Sequence, residues 1–166
     1  MSATPRSRAH SSDRVRVSRQ NTGERMALAR TRTAGEVAIG DALPEERIDA
    51  TPTFIVSTAI ATRDFQDVHH DRDLAQAKGS KDIFLNILTT TGLVQRYVTD
   101  WAGPEALVRG VSIKLGVPCY AYDTLTMHGQ VLERGADVLV VEVLGRNQLG
   151  THVTGRVRLE LPEVAR

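Results

Sequence analysis

The sequence predicts an α+β domain in which one antiparallel sheet wraps around a long buried helix. Two observations carry that reading. Ile83, Phe84, Ile87, Leu88, Thr91, Val94, Tyr97 and Val98 recur at three- and four-residue spacings, and Leu85, Leu93 and Trp101 widen the stripe until little of the helix is left for solvent. After Pro104 the period changes to two, in four successive stretches that each present one apolar face. A buried helix and a one-faced sheet satisfy each other when the sheet curls around the helix.

The elements follow in order. Gly35 to Pro52 reads as a lead-in with a short strand near Glu36–Ile39, and Thr53–Val56 as a second short strand. Ser57 or Thr58 then caps a helix through Ala59, Ile60 and Ala61. Asp67 to Asp71 breaks the apolar pattern and reads as loop. Asp71 to Lys78 reads as a short helix stopped by Gly79, and the long helix ends over Asp100 to Pro104. In the first strand of the sheet Val111, Ile113, Leu115 and Val117 face the core; in the second Leu125, Met127, Gly129 and Val131 do. Val138–Leu144 is a denser strand entered through Arg134-Gly135. Val153, Val157, Leu159 and Leu161 give the last apolar face, reached through the hairpin turn Gly145–Gly150.

Composition bounds the function. The 166 residues, 41% hydrophobic and 25% charged, are enough for one globular domain at 35–166. Residues 1–34 hold eight arginines against Asp13 and Glu24, which predicts a disordered, solvated basic tail, with Met26 as an alternative start. The tail lacks the aromatics that would stack on bases, so nucleic acid is not an expected partner; no apolar run is long enough to span a membrane. The single Cys119 excludes an internal disulfide and a multi-cysteine zinc site, reads as an ordinary buried thiol, and fits a cytoplasmic protein.

Chemistry concentrates in Asp64-Phe65-Gln66-Asp67-Val68-His69-His70-Asp71, between the two helical regions. A carboxylate and an imidazole five residues apart, across a helix-to-loop transition, can converge on one water, which the pair can deprotonate near neutral pH. By spacing alone the default reading of Asp64 is a helix-end or salt-bridge residue, and that of His69 an ordinary loop histidine. His70 reads as a solvent-facing neighbour, since no further ligands stand at metal-binding spacing. His128 and His152 fall on the polar phase of their strands and read as surface or interface residues. Tyr97 and Trp101 read as core or rim packing.

Asp64 to His69 resembles the MaoC-type hydratase motif (Asp, any residue, Asn, Pro, an aliphatic residue, His), with Gln66 and Asp67 replacing the Asn-Pro pair. Asp71 and Ala75 echo the acidic and small residues that follow it. The run from Thr53 to Asp100, continued by Gly116-Val117-Pro118 and Tyr120-Ala121-Tyr122-Asp123, resembles the small MaoC-like subunit of actinobacterial steroid side-chain enoyl-CoA hydratases, where the Gln-Asp pair is usual. The resemblance implies a hot-dog fold and syn addition of water to a trans-2-enoyl-CoA. It makes Asp64 and His69 the catalytic pair and Ile87, standing where the family usually has glycine, a backbone N–H donor to the thioester oxygen. It implies no cofactor, the CoA thioester being substrate. It also implies a hetero-oligomer with a larger MaoC-like subunit carrying an acyl-CoA-binding domain of OB-fold and zinc ribbon. The same fold leaves two alternatives: an acyl-CoA thioesterase, or a non-catalytic scaffold that completes a partner's pocket.

Overall fold

The computed structural model describes residues 30–135 and 138–163. Its elements are β1 (Ala42–Asp49), α1 (Pro52–Ala61), α2 (Arg72–Ala77), α3 (Ile87–Ala102), β2 (Leu107–Leu115), β3 (Thr124–Arg134), β4 (Leu139–Asn147) and β5 (Gly150–Glu160). All five strands form one antiparallel sheet in the order β1-β3-β4-β5-β2.

Helix α3 buries Leu93, Val94, Tyr97, Val98 and Ala102 against this sheet. It touches β1 and β2, the two edges, as well as β5. Flat, a five-stranded sheet would hold its edges about 19 Å apart, more than the roughly 10–12 Å width of a helix. Contact with both edges therefore requires the sheet to curl around α3, as the periodicity predicts. Val94 and Val98 are fully excluded from solvent, a burial that contributes about 1.5–3 kcal/mol per side chain. Close approach on β5 is possible because Gly155 carries no side chain: a Cβ there would lie 2.9 Å from Val94 Cγ1. No described helix is long and apolar enough to cross a membrane.

Several expectations about the elements change. Residues 34–36 form a 3-10 turn, and the first strand is β1, inside the predicted lead-in. Pro44, Glu45 and Glu46 hide its periodicity: β1 is an edge strand that slips register between Leu43 and Glu46, and Pro44, with no N–H, is tolerated there. The freed Pro44 carbonyl accepts the Tyr97 hydroxyl at 2.8 Å, and burial pushes that hydroxyl up to about 12. Thr53–Val56 is helical, not a strand. Thr51 caps α1 by accepting the Phe54 N–H at 3.1 Å, and Pro52 opens its first turn, so the true start signal precedes Ser57 and Thr58. Helix α3 begins at Ile87, not Ile83; residues 83–85 are extended and run against 119–121, with Leu85 N–H on the Cys119 carbonyl at 3.0 Å and Ala121 N–H on that of Ile83 at 3.0 Å. Finally, β2 pairs with β5 and not with β3, because residues 116–123 cross over to the far side of the sheet. The hairpin between β4 and β5 narrows to Gln148-Leu149.

The alternative start at Met26 and most of the basic tail lie outside the described residues. Residues 30–34, assigned to that tail, are packed. Arg32 donates its N–H to the Ala102 carbonyl at 2.8 Å and sets its guanidinium 5.0 Å over the Trp101 ring. Thr31 is buried, and its hydroxyl accepts the Glu105 N–H at 3.0 Å. Gly103 ends α3 at φ 101, ψ 168, a region only glycine tolerates, and a Cβ there would overlap the Thr31 backbone.

His152 is likewise not a surface residue: it is 2% exposed. The β4–β5 register skips His152, pairing Gly145 with Val153 and Arg146 with Thr151, and this bulge turns it inward beside Val153. Its Nδ1–H donates to the Val117 carbonyl at 2.7 Å, which leaves Nε2 to accept the Thr90 hydroxyl of α3 at 3.0 Å. Burial holds its pKa below the ordinary 6.5, which suits a neutral ring. Cys119 is buried and free, with its thiol pushed up to about 12, an inert side chain as expected.

Two predictions follow from this packing. Gly103→Ala costs at least about 1–3 kcal/mol from the backbone conformation alone, read as a lower urea midpoint at unchanged m-value. For His152, the unfolded chain binds a proton that the folded one refuses, so its contribution is complete above pH 6.5 and declines as pH falls below it. Urea midpoints at pH 7.5 and 5.5 measure this; His152→Gln lowers stability at both and shows a smaller loss between them.

Candidate active site

Helix α1 ends in a Schellman motif. Asp64 N–H reaches the Ala59 carbonyl at 2.9 Å and Arg63 N–H that of Ile60 at 3.0 Å. Arg63 takes the left-handed position at φ 57, where glycine is usual, at a cost of about 1–3 kcal/mol. That turn throws Asp64 off the helix axis. A 3-10 turn over Asp67–His69 then folds the chain back, with His69 N–H on the Gln66 carbonyl at 3.0 Å. The predicted loop is thus a tight turn, and Asp71 closes it by capping α2 through the Leu74 N–H at 3.0 Å. Asp67, where the motif has proline, is anchored by Lys78 at 2.7 Å.

The result brings Asp64 and His69 together: Asp64 Oδ2 and His69 Nε2 are 3.5 Å apart, with side chains 17% and 8% exposed. His69 Nδ1 lies 2.7 Å from the Phe84 carbonyl, an acceptor only, so Nδ1 carries the proton. In the neutral ring Nε2 is then the lone-pair nitrogen, and it faces the carboxylate. The Phe84 ring meets the imidazole edge-on at a centroid distance of 4.9 Å and limits its tilt. Asp64 is held too: Oδ1 accepts the Gln66 N–H at 3.3 Å, and Oδ2 accepts Asn86 Nδ2 at 3.0 Å.

His70 differs from its solvent-facing reading. It is half-buried, and its Nε2–H donates to the Asp64 backbone carbonyl at 2.6 Å, bracing the strained turn from behind. No cluster of three potential metal ligands occurs among the described residues.

Ile87 is the first residue of α3, with its side chain 53% exposed. A helix start leaves its first N–H groups without intrahelical partners. Asn86 takes one of these, the Thr89 N–H on its side-chain oxygen at 2.7 Å, while its carbonyl accepts the Thr90 N–H at 3.1 Å as the first intrahelical bond. The N–H groups of Ile87 and Leu88 have no protein acceptor among the described residues. They sit at the positive end of α3, next in sequence to the residue that holds Asp64, where partial negative charge is favoured.

The sequence alone does not single out the Asn86 side chain, Thr62 or the Phe84 carbonyl. Asn86 had a signal, an Asn just ahead of the helical period. The Phe84 carbonyl had none, since any residue would supply it.

No protein-family model matches the chain. It is 63% identical over 123 residues to the 3-oxo-4,17-pregnadiene-20-carboxyl-CoA hydratase beta subunit of Mycobacterium tuberculosis, an alignment covering 74% of this chain and 95% of that protein. Among solved structures it is similar to the crystal structure of the ChsH1-ChsH2 complex from Mycobacterium tuberculosis, at 62% identity and TM-score 0.74, covering 75% of this chain and 98% of that one. The R-hydratase PhaJ1 from Pseudomonas aeruginosa, at 20% identity and TM-score 0.74 over 81% of this chain and 88% of that one, shares the fold. The chain belongs to the family of the 3-oxo-4,17-pregnadiene-20-carboxyl-CoA hydratase beta subunit, MaoC-like hydratases of hot-dog fold.

Proposed function

We propose that this chain is the acid–base subunit of an enoyl-CoA hydratase acting on a steroid side-chain CoA ester. The observation that carries the reading is the Asp64–His69 pair, with Nε2 free of any other partner among the described residues and facing a fixed carboxylate. The relative's name, a hydratase of a steroid carboxyl-CoA, supports the substrate class.

In the reaction, one member of the pair takes a proton from water as the hydroxide bonds to C3 of the trans-2-enoyl thioester. The electron pair of the double bond moves onto the thioester oxygen as an enolate. The pair then returns a proton to C2, on the same face, and the 3-hydroxyacyl-CoA leaves with the pair restored. The two groups lie 3.5 Å apart, close enough to pass that proton between them, so acid and base are roles of the pair. The N–H groups of Ile87 and Leu88 are the donors for the enolate oxygen. Nothing in this sequence needs a resident cofactor, since the CoA thioester is the substrate.

The chain works, in this reading, with a larger MaoC-like subunit whose acyl-CoA-binding domain (OB-fold and zinc ribbon) forms much of the pocket, in the cytoplasm. Phe65, Ile87 and Leu88, within two residues of Asp64 or Asn86, expose 70%, 53% and 52% of their surface. Such apolar side chains beside a reacting pair call for a covering partner. The similar chain in a two-protein complex supports the same arrangement.

The test is hydration of a steroid enoyl-CoA and of crotonyl-CoA by this chain alone and with the larger subunit. The steroid ester is turned over only by the mixture, and Asp64→Asn in the assembled complex lowers kcat by at least ~100-fold. Full turnover by that variant returns the chain to a scaffold role. Release of free CoA thiol without hydration makes it a thioesterase.

A further inference from the structure

We propose that Asn86 is a positioning residue for the reaction, fixing the Asp64 carboxylate against His69 and against the helix end that receives the thioester. This rests on the hydratase reading of the Asp64–His69 pair and adds a third side chain to it.

Asn86 is 3% exposed and uses its whole amide. The oxygen accepts the Thr89 N–H at 2.7 Å and so caps α3. A backbone N–H can only donate, so the other atom is the NH2 group. Its two hydrogens go to Thr62 Oγ1 at 2.9 Å and to Asp64 Oδ2 at 3.0 Å. Capping alone does not require asparagine, since Ser and Asp cap equally well. What only an amide supplies is a cap oxygen together with two donors, and here both donors point back to the α1 terminus. The Thr62 hydroxyl, in turn, donates to the Thr58 carbonyl at 2.8 Å, which leaves its oxygen turned to the amide.

The carboxylate oxygen held by Asn86 is the one that faces His69 Nε2. With Oδ1 on the Gln66 N–H, both oxygens are engaged and rotation of the carboxylate is blocked. The same amide is rooted one residue before the N–H groups of Ile87 and Leu88. One side chain thereby sets the distance between the proton-handling pair and the enolate donors, two parts carried on different helices.

The experiment compares Asn86→Asp with wild type and Asp64→Asn, each assembled with the larger subunit. Asn86→Asp keeps the shape and the cap but loses both donors and places a second carboxylate against Asp64. The only titratable side chain paired with Asp64 among the described residues is His69, so the new carboxylate is the sole added charge facing it. The expected result is kcat lower by roughly 10- to 100-fold with KM within a few-fold, an acid limb of the kcat/KM profile moved to higher pH, and a lower unfolding midpoint at neutral pH, because a carboxylate pKa raised in the folded state costs stability there. A purely structural cap would leave kcat on the plateau of the pH profile unmoved, and that outcome overturns the proposal. If Asn86→Asp does not assemble, Thr62→Val decides: it removes the second acceptor, and lowers kcat a few-fold if Asn86 positions Asp64, while unchanged kcat overturns the inference. Activity retained by Asp64→Asn overturns the hydratase reading instead, whatever Asn86→Asp does.

Discussion

A single helix has to be buried by a single sheet, and most of the architecture follows from that constraint. Helix α3 offers an apolar stripe too wide for one or two strands, so it contacts both edges of a five-stranded sheet. Curling the sheet demands concessions on each side of the interface. β5 gives up a side chain at Gly155 to let Val94 in, and β1 slips register around Pro44 and returns its spare carbonyl to Tyr97. His152 and Thr90 pair inside this contact, a polar link whose two partners are satisfied and which ties α3 to β5 at one register.

Once α3 is fixed, its N-terminus becomes a stationary platform. Asp64 and His69 are assembled on it by a segment that is locally unfavourable: an arginine in a left-handed conformation, a 3-10 turn, two histidines in succession. Hydrogen bonds from outside the segment hold it in place, from Asn86 and Lys78, and to the Phe84 carbonyl. The strain is carried by the core, and the side chains that matter arrive with their rotations already restricted. This is the arrangement expected where fixed dipoles must meet a developing charge without first reorganising.

Sequence periodicity revealed those parts of the fold whose burial repeats. The stripe of α3 and the alternation of β2 to β5 were legible because each has one face in a continuous core. β1 was not, since an edge strand with Pro44 and three charged neighbours pays little heed to alternation. The start of α1 was misplaced because Thr53, Phe54, Ile55 and Val56 have strand-like side chains, and here the cap at Thr51 with Pro52 outweighs propensity. Of the site, Asp64 and His69 could be singled out from the motif. Their 3.5 Å approach could not, because it depends on the unpredicted φ of Arg63. His152 was misread for a related reason: alternation put it outside, and only the irregular start of β5 turns it in.

The way residues 30–34 dock has a practical bearing on how the protein can be handled. Arg32 and Thr31 lie against Ala102, Gly103 and Trp101, the C-terminal end of α3, whereas Asp64 and Asn86 meet at its N-terminal end. Sixteen residues of helix separate the two, about 24 Å. A fluorophore, affinity handle or surface tether attached ahead of residue 30 therefore joins the domain at the pole opposite its chemistry. Immobilisation through that end leaves the reacting face turned outward, toward whatever is brought to it.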